Sequence, residues 1–509
     1  MVLINYFFII FLFFWLIREI KAILFWLYLW QLKEYQIKRF FDHFRTENGK
    51  KIFFNWFFLL KLFLLSWALF LFFYKKLLPG YFYSSWVIIL LLFYILEGIK
   101  FLVEIFLKKI KKPVLTKKTA IILFLNFISL FFLIIFLNKI KNFLYWIALI
   151  VLLFDIFSPL FVSIIVLFFQ PWVFLWRKKI AKMAKEKREK FKDLIVIAIC
   201  GSFGKTSTKE FLAKILSEKF KVLKTKEHIN AEIGIAQTIL NELKDDHQIF
   251  IAEIGAYRKG KVKEVCDFLE PKIGIITGVN EQHLSLFGTM ANLLSAEGGG
   301  ELIASLPSDG TIFLNGKNEI CRKIFDEIKI KKYLYGQNAA LLEENLEGAK
   351  MVAKELGMTE KEIEKALEKI ENKLPGFEIK KGVWGINFID ATYSANPDGV
   401  LAHLEYLKNF SGRKVIIMPC LIELGKASKE VHQRIGKKIA EVCDLAIITT
   451  KERFKEIKEE ARDKAVFLEK PEEIFEKIKN FSKEEDVILL EGRIPSSLLS
   501  LLIPTIKNQ

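Results

Sequence analysis

The run Gly201-Ser202-Phe203-Gly204-Lys205-Thr206-Ser207 combines the residue types that can hold a nucleotide phosphate. Glycines let backbone N–H groups come close to an anion, a lysine reaches the terminal phosphates, and the neighbouring Thr hydroxyl can hold Mg2+. The spacing falls short of the full pattern of two glycines separated by four residues, because position 199 is Ile. Two further groups are suited to metal binding or proton transfer: Glu253 in Ala252-Glu253-Ile254-Gly255-Ala256, and His283 in Asn280-Glu281-Gln282-His283-Leu284.

These side chains need a scaffold, and the flanking pattern supplies one. Residues 194–200 are a short, continuous, β-branched apolar run, which predicts a buried parallel strand, and residues 209–216 follow at helical period. Strand, glycine loop and helix N-terminus in that order form a phosphate cradle. Residues 249–254 and 272–279 read as further strands ending at Glu253 and just before His283, and open α/β sheets bind ligands at such strand ends. The alternation of strand and helix predicts an α/β fold with a doubly wound sheet. The five cysteines are scattered without CxxC spacing, so neither a disulfide framework nor a zinc site is expected.

The first part of the chain has another character. Mean hydropathy over all 509 residues is +0.28, and the apolar excess lies ahead of residue 177. A helix needs about 20 apolar residues to cross a bilayer. Five stretches qualify: 2–26, 52–74, 86–107, 119–137 and 143–169, the last either one tilted span or two spans broken near Ser158-Pro159. The first is too long and too aromatic for a cleaved signal peptide and reads as retained. Residues 1–193 hold 29 Lys and Arg against 10 Asp and Glu, whereas residues 194–509 hold 47 against 48. The net +18 therefore belongs to the apolar part, where lysines between Phe/Leu/Ile runs mark membrane loops and not a nucleic-acid surface. Loops 33–51, 108–118 and 177–192 are the most basic, which places them in the cytoplasm and the N-terminus outside. Lys61, Glu97, Glu104 and Asp155 lie in or near the spans, as functional groups or as pairs at helix ends.

The second part resembles the Mur ligases, and within them the branch that adds D-alanyl-D-alanine. The phosphate loop matches the family's nucleotide loop, and Asn230-Ala231-Glu232-Ile233-Gly234 its Asn-x-x-Ile-Gly element. Glu253 and His283 fall where the family has Mg2+ ligands, Asn315 ends the adenine-side segment, and Asn345 matches a central-domain Asn. Asp390-Ala391-Thr392-Tyr393-Ser394-Ala395-Asn396-Pro397 is close to the branch's signature, and Ile422-Glu423-Leu424-Gly425 with His432 resembles a later element. There are departures. Gly299 stands where the family has a lysine that is carbamylated in use, two residues before Glu301. Gly376-Phe377-Glu378 lacks the family's arginine, and Glu491-Gly492-Arg493 replaces Lys-Gly-Ser. The family's UDP-binding domain has no counterpart here, and the apolar stretches stand in its place.

Hydropathy and loop charge give a transmembrane region over 1–176 and a basic cytoplasmic linker over 177–193, and hence a multi-pass protein of the cell membrane with its second part in the cytoplasm. The resemblance implies an ATP-binding central domain over 194–375 and a C-terminal domain over 376–509, using ATP and Mg2+ to form an amide through an acyl phosphate. The acceptor would be a muramoyl-peptide precursor, UDP-linked or lipid-linked, the added group an amino acid or dipeptide, and membrane lipids would be partners. Catalytic roles fall to Lys205, His283 and Glu253; metal ligands to Thr206, Glu253 and His283; nucleotide contacts to residues 201–207, Asn315 and Asp390. With no lysine at 299, either Glu297 or Glu301 serves at the metal or one Mg2+ suffices. The alternatives are another membrane-associated ligase of this fold, of the polyglutamate-synthase type, and a P-loop transport ATPase.

Overall fold

The computed structural model describes residues 2–44, 46–141, 143–226, 229–340, 342–369 and 377–503. The expected boundary at 375–376 and Gly376 lie outside them. The chain divides into two compact units, Met1–Leu175 and Trp176–Gln509.

The first unit is helical: α1 (Val2–Leu32), α2 (Ile37–His43), α3 (Glu47–Phe53), α4 (Trp56–Phe73), α5 (Tyr81–Phe106), α6 (Lys117–Lys139) and α7 (Leu144–Phe168), before α8 (Gln170–Arg188). Among the described residues four helices are long and apolar enough to cross a membrane: α4, α5, α6 and the helical stretch beginning at Leu144. The first expected span is a 31-residue helix, α1, which carries Arg18, Glu19 and Lys21 near its middle. The stretch expected from residue 52 is broken, because Asn55 caps α4 by accepting from the Phe58 N–H at 2.9 Å, ending α3 at Phe53. The last stretch is not broken. Pro159 lies inside α7, where it withholds an N–H from the Asp155 carbonyl without ending the helix.

Indole and phenol groups in this unit reach partners across helices: Trp86 Nε1 donates to the Leu64 carbonyl at 2.9 Å, Trp30 Nε1 to Ser163 Oγ at 2.9 Å, and Tyr145 Oη to the Ala68 carbonyl at 2.6 Å. Apolar residues face outward as well as inward, with Phe63, Phe124, Phe131, Phe132 and Ile164 exposed. A helix apolar on all sides suits an apolar surrounding. Three of the expected ionisable groups, Lys61, Glu97 and Asp155, come together with Arg18, and Glu104 pairs with Lys21 at 2.7 Å.

Among its described residues the second unit holds two six-stranded sheets. The first consists of β1 (Ile195–Cys200), β2 (Val222–Lys224), β3 (Ile249–Glu253), β4 (Ile273–Ile276), β5 (Thr311–Asn315) and β6 (Lys331–Tyr335), in the order β2-β3-β1-β4-β5-β6 and all parallel. The inner strands are continuous apolar runs because helices cover both faces. The second consists of β7 (Glu378–Lys381), β8 (Asn387–Ala391), β9 (Lys414–Met418), β10 (Leu445–Ile448), β11 (Ala465–Phe467) and β12 (Val487–Glu491), in the order β11-β10-β9-β12-β8-β7 with only β7 antiparallel.

The segment expected as a linker is part of this unit. Ile180 and Ala184 of α8 are buried in the core of the first sheet. Lys187 Nζ donates to the carbonyls of Leu240 and Leu243 at 3.0 and 2.9 Å, satisfying the end of the helix Glu232–Glu242. Its basic residues therefore fasten this helix to the domain.

Candidate functional site

Strand β1 lies between β3 and β4, so the loops after these three strands meet at one edge of the sheet. The phosphate loop leaves β1 and enters α9 (Lys205–Leu216). Two of its residues must be glycine. Gly201 has φ +143 and a Cβ there would lie 2.2 Å from Thr277 Oγ1; Gly204 has φ +77 and a Cβ would lie 2.8 Å from Asn345 Oδ1. Asn345, the central-domain Asn of the motif, thus backs the loop and accepts from Thr208 Oγ1 at 3.2 Å. The Phe203 carbonyl accepts from Thr277 Oγ1, and Ser207 lies in the first turn of α9. Lys205 Nζ folds back onto the Gly201 carbonyl at 2.5 Å, inside the loop.

Thr206 and Glu253 come together: Thr206 Oγ1 donates to both Glu253 oxygens, at 3.1 and 3.0 Å. A hydroxyl and a carboxylate are hard oxygen donors of the kind Mg2+ takes, with phosphate oxygens and water completing the shell. Among the described residues no group of three or more His, Cys, Asp or Glu could hold a metal by itself. Sequence reasoning missed Lys209. This fully buried lysine, one helical turn after Lys205, bonds Glu253 at 3.1 Å, and Asn230 Nδ2 donates to the same carboxylate at 3.4 Å. The signal was available, since residues four apart on a helix share a face.

His283 does not reach the Thr206–Glu253 pair by any direct bond. Its Nδ1 is 2.8 Å from Glu297 Oε1, and Glu297 Oε2 accepts from Ser202 Oγ at 2.9 Å. The imidazole donates from Nδ1 to this carboxylate, which turns Nε2 toward Glu423 Oε2 at 3.6 Å. Both His283 and Glu423 have left-handed backbones, φ +64 and +66, and the Ser285 N–H donates to the Glu423 carbonyl at 2.9 Å. Backbone strain of this kind gathers at functional sites. Of the two carboxylates expected near Gly299, Glu297 is at the loop, while Glu301 accepts from the N–H groups of Gly260 and Lys263 at 2.6 and 3.0 Å and so caps the helix Lys261–Leu269. Gly299 itself has φ +84, and a Cβ there would lie 2.2 Å from Ile276 Cδ1. A lysine here would be strained by this backbone and would require Ile276 to shift.

Asn315 ends β5 with its side chain buried. Its Nδ2 donates to the Thr277 carbonyl at 2.9 Å and its Oδ1 accepts from the Lys317 N–H. Asp390, next to the last residue of β8, accepts from Lys380 Nζ at 2.6 Å and Thr392 Oγ1 at 2.6 Å. Burial works to raise its carboxyl pKa, but these donors outweigh it and hold Asp390 below the usual carboxylate range. The two sheets' loops meet through Asn280, whose Nδ2 donates to Asn396 Oδ1 at 3.0 Å and to Asp398 Oδ2 at 3.3 Å, and through Arg434 on Glu281 at 3.0 Å. Burial pushes the Asp398 carboxyl up. Asn396 also caps the helix Pro397–Tyr406 through the Gly399 N–H, so its Asn-Pro step is both a turn and a contact. Phe377, where the family has arginine, is buried against the His403 ring at 4.8 Å. His432 braces the 421–425 loop: Nε2 accepts from the Leu421 N–H at 2.9 Å and Nδ1 donates to the Ser428 carbonyl at 2.6 Å.

Residues 199–379 match the Mur ligase middle domain, and residues 377–494 the glutamate ligase domain of the Mur ligases. The chain belongs to the Mur ligase family. Similar proteins include the UDP-N-acetylmuramoyl-tripeptide–D-alanyl-D-alanine ligases of Synechocystis, 29% identical over 273 residues, and of Treponema pallidum, 28% identical over 278. Each match covers 48% of this chain and 59% of the relative, so the chain spans about three fifths of the length of these Mur ligases. The fold is shared with MurF of Thermotoga maritima, solved in complex with ADP, at a TM-score of 0.57 and 24% identity over 64% of this chain and 83% of that one. MurF of Acinetobacter baumannii gives 0.57 at 23% identity, over 64% and 80%.

Proposed function

We propose that this Mur ligase family member is an ATP-dependent, ADP-forming ligase that adds D-alanyl-D-alanine to a muramoyl-peptide precursor at the inner face of the cell membrane. The observation that carries the reading is the Thr206 hydroxyl held 3.0 Å from Glu253 at the mouth of a glycine loop. A carboxylate is a poor acyl donor, so ATP phosphorylates it, and the amine then displaces phosphate from the acyl phosphate to leave an amide. Phosphoryl transfer is mainly positioning and charge neutralisation. Lys205 swings from the Gly201 carbonyl to the β- and γ-phosphates, and the loop N–H groups of residues 201–207 hold their oxygens. Thr206 and Glu253 would hold Mg2+, which supplies positive charge at the phosphates. His283 serves at the γ-phosphate side, oriented by Glu297, and Asp390 takes the ribose from the C-terminal domain. Asn315 stands on the base side.

On this reading residues 1–176 form the membrane region, 177–193 the basic cytoplasmic segment, 194–375 the ATP-binding domain and 376–509 the C-terminal domain. The membrane region crosses five times, counting α1, with the N-terminus outside. The outward-facing Phe124, Phe131 and Phe132 support a lipid surrounding. The acceptor is then lipid-linked, because confinement to a leaflet raises effective concentration without any new contact. The test supplies the purified full chain, ATP and Mg2+ with UDP-linked or lipid-linked muramoyl peptide, and with D-alanyl-D-alanine or glutamate. ADP release that requires the dipeptide and is faster with the lipid-linked acceptor is expected. Preference for the UDP-linked form would remove the lipid-linked acceptor, and a requirement for glutamate would favour a polyglutamate-type ligase.

A further inference from the structure

The helical unit contains a cluster of buried ionisable groups that the ligase chemistry does not use. Arg18 of α1 bonds Glu97 of α5 at 2.9 Å and Asp155 of α7 at 2.8 Å. Lys61 of α4 bonds the same two carboxylates, at 3.0 and 2.8 Å. Two cations and two anions thus close a ring in which every charge is paired twice. Tyr94 Oη donates to Asp155 at 3.4 Å.

A third carboxyl breaks this balance. Glu19, next to Arg18 on α1, is fully buried and lies beside Asp155. Its carboxyl is within hydrogen-bonding reach of the Asp155 carboxyl, but no N–H or O–H group donates to either of its oxygens, and the buried Ser158 Oγ, one turn after Asp155 on α7, has no partner either. The charged groups facing it are Arg18, Lys61 and Asp155; Lys61 Nζ and Arg18 Nε and Nη2 are committed to the ring, and Arg18 Nη1 is buried without a hydrogen-bond partner. Counted together, five ionisable side chains carry one negative charge more than positive. An uncompensated charge in an apolar interior is strongly unfavourable, and an ionisable group among apolar helices points to an ion or proton pathway. The deficit is a single positive charge, which excludes a divalent metal as the matching occupant, and the available donors are oxygens.

We propose that Glu19, with Asp155 and Ser158, forms a binding site for one small monovalent cation, H+ or Na+, inside the helical unit. The cation lies between two carboxyls on different helices. When it leaves, α1 and α7 carry adjacent like charges and push apart, so occupancy changes how these helices pack. The site is independent of the ligase reading and would stand if that reading failed.

The test uses the purified full chain in detergent micelles. If the occupant is a proton, infrared spectra contain a carboxylic-acid carbonyl band that is lost in Glu19→Gln. If it is sodium, the unfolding temperature rises with NaCl but not with choline chloride, and Glu19→Gln abolishes the rise. Should Glu19→Gln not accumulate, Ser158→Ala must shift the band or weaken the sodium response. A wild-type chain with neither signal, a signal that persists in Glu19→Gln, or one that is unchanged in Ser158→Ala overturns the proposal.

Discussion

Glu297 Oε2 accepts a hydrogen bond from Ser202 Oγ at 2.9 Å while its other oxygen holds His283 at 2.8 Å. One buried carboxylate therefore ties the phosphate loop to the imidazole. Glu297→Gln keeps the shape but cannot accept on both sides. Turnover should fall about 10- to 100-fold, the range seen when the partner that orients a functional His is lost, with KM for ATP nearly unchanged. A variant with wild-type turnover would show that the carboxylate is only a packing feature.

Lys205 and Lys209 of α9 should behave in opposite ways. Lys205 bonds only the Gly201 carbonyl among the contacts described, so Lys205→Ala should abolish ATP hydrolysis with little change in unfolding temperature. Lys209 is buried on Glu253. Removing it leaves a buried carboxylate unpaired, at a cost of about 3–5 kcal/mol. Lys209→Met should therefore lower the unfolding temperature markedly, and equal stability of the two variants would contradict the assignment.

Much of this site was legible in the sequence. The glycine loop announces its strand and helix through the switch from a continuous apolar run to helical period; Glu253 ends β3, while β4 stops at Ile276 and His283 lies in the loop beyond it. Longer-range choices were not legible. Whether Glu297 or Glu301 would face the loop depends on which one caps the helix Lys261–Leu269, and only folding brings residue 260 beside residue 301. The basic segment after residue 177 has the composition of a solvated connector, but Ile180 and Ala184, one turn apart, place it in a core. The ring around Asp155 needs four helices to meet, and no spacing along the chain encodes that.

Gly299 carries no side-chain amine, so no carbamate can form there. Activity should be the same in CO2-depleted and bicarbonate-supplemented buffer. A clear bicarbonate requirement would contradict the reading that the site works without a carbamate.

Burial lowers the pKa of His432. Its Nε2 accepts a hydrogen bond, so protonation would break the contact with Leu421. The unfolded chain binds a proton near pH 6.5 and the folded one only at lower pH. Stability should therefore fall as pH drops below about 6.5 and level off once the folded histidine also titrates. Unfolding temperatures between neutral and mildly acidic pH should show this slope, which His432→Gln should flatten.

The topology follows from charge. Reporter fusions should place loop 108–118 and everything from Arg177 onward in the cytoplasm and the N-terminus outside. A cytoplasmic N-terminus would remove α1 from the count of spans.

Amide formation driven by ATP at the Thr206–Glu253 site is tested by mass spectrometry of a muramoyl-peptide acceptor after incubation with the full chain, ATP, Mg2+ and D-alanyl-D-alanine. The expected product is heavier by one dipeptide less one water, forms together with ADP and is absent with Lys205→Ala. ATP hydrolysis that leaves the acceptor mass unchanged would rule out ligation at this site.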